Sequence, residues 1–311
     1  MRIVISGGAG FIGSHLAEEL LKQGHKVVIL DNYITSSPKN LEHLLPNENL
    51  TIIEHDITHP IQFADKIDRI YHLASPASPI DYQKNPIPTL RVGSIGTDNM
   101  LNIAMQHKAR LLLSSTSEVY GDPLVHPQRE DYWGNVNPVG PRSCYDESKR
   151  FAEAIVVAYR DFHNVDTRII RIFNTYGPRM RLNDGRVVPE FISQILNGKD
   201  LTIYGDGHQT RSFCYISDLI RGMIAAMEQE DTNPINLGNP TEITVNEFAD
   251  IIIKVSGIKA NRVNMPLPVD DPKRRKPDIS RAKKLLNWEP VVGIEEGLKA
   301  TLDWAKTLNK K

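Results

Sequence analysis

Five short apolar runs carry the first part of the chain: Arg2–Ser6, Lys26–Asp31, Leu50–Glu54, Arg69–Leu73 and Arg110–Ser114. Each is continuous rather than alternating, so as a strand it would be covered on both faces. Between several of them apolar residues return with helical period, as in Ser14–Gln23, closed by Gly24, and in Val92–His107. Buried strands separated by helices predict an α/β fold, a doubly wound parallel sheet with helices on both faces. Two proline-rich stretches break the pattern: Ser75–Pro88, with Pro76, Pro79, Pro86 and Pro88, and Gly121–Arg142, with Pro123, Pro127, Pro138 and Pro141 beside Tyr132 and Trp133. Both follow strand ends, where open α/β sheets bind ligands, and both are read as loops. From residue 175 the chain is richer in Gly, Pro and Arg, in Thr175–Val188 and Tyr204–Arg211. The expected division is 1–174 for the sheet domain and 175–311 for a smaller, mainly substrate-binding lobe, with a soft boundary because elements can cross back. Trp288 and the apolar spacing of Ala282–Leu286 are read as core or partner packing.

Composition narrows the setting. A chain of 311 residues at 40% hydrophobic content can bury a full core. Its formal net charge of -1 gives no field favouring nucleic acid or an anionic membrane, so neither is expected as a partner. Cys144 and Cys214 are the only cysteines, which suggests no disulfide framework and fits a reducing compartment. Residues 1–30 do not read as a secretory leader, and no stretch approaches the roughly 18 apolar residues of a membrane span. The expectation is a soluble cytoplasmic protein.

Gly7, Gly10 and Gly13, with Phe11 and Ile12 among them, stand between the first strand and the first helix. Their spacing is Gly-x-x-Gly-x-x-Gly rather than Gly-x-Gly-x-x-Gly, but the physics is shared. Glycines permit a tight turn, and a diphosphate can approach the helix N-terminus, where free N–H groups favour anions. The reading is a dinucleotide-binding Rossmann domain. Asp31 ends the second strand 18 residues past Gly13, where a carboxylate accepts from the adenosine ribose and repels a 2′-phosphate, favouring NAD over NADP. Asn32, Leu73 and Ala74, at strand ends, join the expected cofactor set; Asp56 and Ile57 are candidate adenine contacts, or else Asp56 is a turn aspartate.

Tyr145 and Lys149 are four apart, which on a helix puts both side chains on one face. The ammonium is expected to stabilise a phenolate, making the tyrosine a general base below its ordinary pKa of about 10. Upstream lies Ser114-Ser115-Thr116-Ser117-Glu118-Val119-Tyr120-Gly121. His55 and His59 are also four apart, but Pro60 and the strand end argue against a metal pair, and no metal is expected. Cys144 is read as packing rather than as a nucleophile.

Taken in order, these residues resemble the extended short-chain dehydrogenase/reductase family, in its nucleotide-sugar branch, over almost the whole chain. Four longer strings, Ser115–Pro123, Asp131–Pro138, Gly140–Glu147 and Asn183–Val188, are similar to those of the branch members that decarboxylate UDP-glucuronate. Related 4,6-dehydratases usually place Asp-Glu after the threonine, where this chain has Ser117-Glu118, and sugar 4-epimerases generally lack an acid at the position of Glu118. The resemblance implies oxidation of UDP-glucuronate at C4, loss of CO2, protonation at C5 and re-reduction at C4 to UDP-xylose, with NAD held throughout and no net redox change. It implies that Tyr145 takes the C4 hydroxyl proton, that Lys149 also holds the nicotinamide ribose, and that Thr116 hydrogen-bonds the C4 oxygen. Ser117, Glu118 and Arg211 are expected around the carboxylate and C5, with Glu118 either opposing a second ionised carboxylate or relaying a proton. Asn174, Arg186, Tyr204 and Arg275 are expected at the diphosphate and uridine. Arg91 is a further cofactor or substrate candidate, and a homodimer built from helices on one face is implied. A basic run, Lys273–Lys276 between Asp270, Asp271 and Asp278, reads alternatively as a nucleic-acid or targeting patch. The competing functions are a UDP-sugar 4-epimerase and a non-catalytic, NAD-binding or RNA-associated scaffold.

Overall fold

The computed structural model describes residues 1–266 and 274–308. Its strands are β1 Arg2–Ser6, β2 Lys26–Asp31, β3 Leu50–Glu54, β4 Arg69–His72, β5 Arg110–Thr116, β6 Thr167–Ile172, β7 Thr175–Tyr176, β8 Leu201–Tyr204, β9 Thr210–Ser212, β10 Cys214–Tyr215, β11 Ile235–Leu237, β12 Glu242–Thr244 and β13 Arg262–Met265. Seven of them form one sheet in the order β11-β6-β5-β4-β1-β2-β3, every pair parallel. The short pairs β10–β7, β12–β9 and β13–β8 build the second lobe.

The helices are α1 Phe11–Lys22, α2 Pro79–Lys84, α3 Pro86–Arg91, α4 Thr97–His107, α5 Ser143–His163, α6 Val187–Leu196, α7 Ile216–Glu228, α8 Val245–Ser256, α9 Ser280–Leu286 and α10 Ile294–Leu308. β1, β2, β4 and β5 are buried on both faces, as their pattern predicts, whereas β3 is the edge strand and only partly buried, with Thr51 and Glu54 exposed. Ile3, Ile5, Val27 and Ile29 pack with Leu16 and Leu20 of α1 and Leu219 and Met223 of α7. Val4, Val28, Leu111 and Leu113 point the other way, onto Met100 and Leu101 of α4 and Ala152 and Val156 of α5. A third core, around Phe191, Phe213, Phe248 and Leu302, belongs to the second lobe. Trp288 is buried against α7, its Nε1 donating to the Asp218 carbonyl at 2.8 Å. No helix among the described residues is long and apolar enough to cross a membrane.

Three stretches differ from the sequence reading. Ser75–Pro88 is largely helical: Pro79 and Pro86 stand at the first turns of α2 and α3, and Ser78 caps α2 by accepting from the Asp81 N–H. Proline is tolerated in a first turn because its missing N–H has no partner there and its φ is preset. The helix expected over Val92–His107 begins with a π-helical turn, Val92–Gly96, between α3 and α4. The first helix starts at Phe11 rather than Ser14, with Gly10 before it and no side-chain cap.

Candidate active site

A cleft of about 1200 Å³ opens at the C-terminal ends of the strands, between the sheet and the second lobe. Every residue singled out in the sequence for cofactor, chemistry or substrate lines it. At one end is the glycine turn. Gly7 has φ +73°, and a Cβ on Gly13 would stand 2.3 Å from the Gly7 carbonyl oxygen, so turn and helix meet too closely for side chains. With Gly10 before α1 and no acid in its first turn, the helix start turns free N–H groups and positive dipole toward the cleft. Asp31 is fixed at the rim of this turn: Oδ2 accepts from Ala9 N at 2.9 Å, Oδ1 from Tyr33 N at 2.9 Å and Ser36 Oγ at 2.7 Å. A carboxylate accepts about four bonds, so capacity remains for a ribose hydroxyl. Asp56 is a turn aspartate, its Oδ1 accepting from Thr58 N at 2.9 Å, and it also lines the cleft, where Asn32 donates to its Oδ2 at 3.1 Å. Ile57, Leu73 and Ala74 supply an apolar wall. This donor and acceptor set fits an adenine dinucleotide.

At the other end β5 delivers Thr116 and the turn after it Ser117, both buried, and α5 delivers Tyr145 and Lys149 on one face. Thr116 Oγ1 accepts from the Glu118 N–H at 3.2 Å, fixing the 3-10 turn Ser117–Tyr120. The expected depression of the Tyr145 pKa is not what the structure gives. Burial pushes the phenol up to about 12, against an opposing interaction with Thr116. The Lys149 Nζ donates to the Ser114 carbonyl at 2.8 Å and stands 6.0 Å from the Tyr145 ring centre. Burial also lowers Lys149 itself to about 8, with Glu153 opposing the fall.

Glu118 is held by two arginines. Arg275 grips it with both Nη atoms, at 2.5 and 2.9 Å, and Arg142 Nη2 donates at 2.6 Å. Burial alone would raise its pKa, but the two guanidiniums outweigh burial and hold the carboxyl well below its usual range. An ionised Glu118 fits the expected role in which it opposes a second ionised carboxylate. Arg275, expected at the diphosphate and uridine, has its guanidinium on Glu118. Arg186 reaches Asp184, its Nη2 donating at 2.7 Å, and lies close enough to Tyr145 to act on it electrostatically. Arg211 donates from Nη1 to the Thr210 carbonyl at 2.8 Å. Asn174 is held through its carbonyl, which accepts from Cys214 N at 2.9 Å; Tyr204 ends β8 and Arg91 ends α3, both exposed at the rim.

Two arginines were not assigned from sequence. Arg142 immediately precedes α5, and a cation at a helix N-terminus runs against the dipole; that mismatch was the available signal that an acid holds it. Arg181 pairs with Asp81 at 2.5 Å across the cleft mouth. Of the basic run, Arg275 is buried; Lys273, Asp270 and Asp271 lie outside the described residues. His55 Nε2 bonds the His59 carbonyl at 3.0 Å, and no group of three potential metal ligands gathers among the described residues. Cys144 is buried, its thiol directed at the Tyr82 carbonyl.

The GDP-mannose 4,6 dehydratase family model matches residues 4–301. The chain is 54% identical over 303 residues to UDP-glucuronic acid decarboxylase 1 of Danio rerio, covering 97% of this chain and 72% of that protein. It is 54% identical over 299 residues to UDP-glucuronic acid decarboxylase 3 of Arabidopsis thaliana, covering 96% and 87%. Among solved structures it resembles the UDP-glucuronic acid 4-epimerase of Bacillus cereus in complex with UDP-glucuronic acid and NAD, with TM-score 0.88, 32% identity, and 99% and 100% of the two chains covered.

Proposed function

Because the chain belongs to the GDP-mannose 4,6 dehydratase family, within the extended short-chain dehydrogenases/reductases, we propose that its cleft binds NAD and UDP-glucuronate and releases UDP-xylose and CO2. The protein is a UDP-glucuronate decarboxylase, as its relatives over nearly the full chain are named. The observation that carries the reading is the ionised Glu118 held between Arg275 and Arg142 beside Thr116 and Tyr145. A 4-epimerase has no use for a second anion there, whereas a decarboxylase does.

The glycine turn, the start of α1 and Asp31 would hold the dinucleotide, with Lys149 at its nicotinamide ribose. When bound, oxidised nicotinamide supplies an electron-pair acceptor for C4 and a positive charge that favours the Tyr145 phenolate. Tyr145 Oη takes the proton of the C4 hydroxyl while Thr116 holds that oxygen. Once C4 is a ketone, the bond from C5 to the carboxylate can break because its electron pair becomes an enolate. Glu118 presents negative charge to the departing carboxylate, and its two guanidiniums give that carboxylate a place to bind, so loss of CO2 relieves a repulsion. The enolate is then protonated at C5, and return of the hydride to C4 with the Tyr145 proton to the C4 oxygen gives UDP-xylose with no net redox change. Arg186, Tyr204, Asn174 and Arg211 line the path toward the diphosphate and uridine.

A homodimer is part of the proposal. The outer surfaces of α3, the π turn and α5 leave Leu90, Ile95, Phe151 and Phe162 exposed, an apolar set that a second copy would cover. Incubation with UDP-glucuronate and NAD+, followed by proton NMR, tests the chemistry. UDP-xylose without net NADH is expected; UDP-galacturonate would make the protein an epimerase. No turnover of any UDP-sugar would leave a nucleotide-binding scaffold.

A further inference from the structure

Tyr82, on α2, lies flat against Tyr145, with ring centres 5.1 Å apart and planes 5° from parallel. That separation belongs to an offset stack, an arrangement aromatic pairs prefer. Tyr82 is only 1% exposed, yet its hydroxyl has no hydrogen-bond partner among the described residues. What the described residues contact is its ring, which packs with Cys144 and Tyr145. The helix that carries it is fastened on both sides. The Tyr82 carbonyl accepts from Cys144 Sγ at 3.5 Å, next to Tyr145. Asp81 accepts from the Ser78 hydroxyl at 2.7 Å and pairs with Arg181 of the second lobe, while Ile80 packs against Gly185 too closely for a side chain there.

We infer that Tyr82 is a positioning residue for Tyr145: its ring fixes the plane of the catalytic phenol toward Thr116 and shields one face from water, and the Asp81–Arg181 clasp fixes Tyr82 in turn. The inference rests on Tyr145 being the base. The groups facing Tyr145 are Thr116 and Glu118 from β5 and its turn, Arg186 from the start of α6, and Asp146 and Lys149 from α5; Arg142 faces the Tyr82 side. Burial is the largest influence on the phenol, and Tyr82 supplies part of that burial. Opening its place to water should ease ionisation and lower the Tyr145 pKa.

The test uses the full chain with Tyr82→Phe, Tyr82→Leu and Tyr82→Ala, each also combined with Tyr145→Phe. Ultraviolet difference titration of each pair isolates the Tyr145 phenolate from the other tyrosines, and steady-state kinetics are measured with UDP-glucuronate and NAD+. Tyr82→Phe should keep kcat within about twofold, because the ring stays. Tyr82→Ala should lose kcat by ~10-fold to ~100-fold with KM changed far less, the pattern of a misoriented reacting group. Its Tyr145 should also titrate lower by about one pH unit, as water reaches the phenolate. Tyr82→Leu, which keeps the site filled, should lose kcat in the same direction and serves if the alanine variant fails to fold. Wild-type kcat and titration in both the leucine and alanine variants would overturn the inference, as would a phenylalanine variant as impaired as alanine. If the wild type turns over no UDP-glucuronate but the titration still moves, the functional reading fails and the positioning role stands.

Discussion

Replacing Lys149 with methionine should stabilise the cofactor-free protein while abolishing its chemistry. Lys149 is 5% exposed, and burial pulls its pKa from the ordinary 10.5 to about 8. At neutral pH the folded chain therefore holds a charge that the unfolded chain keeps more easily, at a cost of ~3 kcal/mol. Methionine removes that cost and forfeits the bond to the Ser114 carbonyl, ~1.5 kcal/mol for a charged donor. The net is a gain of ~1.5 kcal/mol, or roughly 2 °C in Tm for a chain of this size. The sign depends on pH in a defined way. Between pH 8 and 10.5 the unfolded wild type binds a proton that the folded form has shed, so wild-type stability rises with pH across that window. The variant's advantage should be full below pH 8 and reversed by pH 10.5, where the burial cost has faded and the lost hydrogen bond remains. Urea unfolding of charcoal-treated wild type and Lys149→Met across pH 7 to 10.5 measures it. A variant less stable at pH 7, or a difference that does not change with pH, would refute the reasoning.

Glu118→Gln should lose about 100-fold in kcat for decarboxylation and about 3 kcal/mol of stability at neutral pH, since Arg142 and Arg275 lose the carboxylate they share. Because the folded pKa of Glu118 is lowered, its contribution is present above the unfolded carboxylate range and fades as the pH falls through the folded value; wild-type and variant unfolding curves should therefore converge in acid. Gly13→Ala forces a Cβ onto the Gly7 carbonyl, so protein purified from cells should carry at least tenfold less NAD by chromatography of the released nucleotide. Ile95→Glu with Phe151→Glu should convert a dimer to monomers in sedimentation velocity without changing the sheet's circular dichroism; an unchanged sedimentation coefficient would place the dimer contact, if one forms, on another face.

The central strands were legible because burial on both faces leaves unbroken apolar runs such as Val27–Leu30. Less legible were elements whose local chemistry points elsewhere. Prolines suggested a loop over Ser75–Pro88, yet Pro79 and Pro86 each open a helix. Ile235-Asn236-Leu237 is too short to stand out, and its buried Asn236 breaks the apolar run. In the cleft, spacing along one helix or turn was enough to group Tyr145 with Lys149 and Gly7 with Gly13. What spacing could not convey was charge: Glu118 meets Arg142 across 24 positions and Arg275 across 157. Such pairs form only through the tertiary fold, and they keep Glu118 ionised.

The outermost strand of the sheet also bears on how the chain is made. β6 is complete once residue 172 has been synthesised, but its outer neighbour β11 begins at residue 235, with the covering helix α7 between them. At the usual pace of translation the ribosome needs several seconds to cover that interval. During those seconds the nascent chain presents Ile169 and Ile170 on an open strand edge, a ready template for pairing with another chain. A translational stall between residues 172 and 235 should therefore yield aggregated fragments, and synthesis of this protein should draw on chaperones most heavily in that stretch.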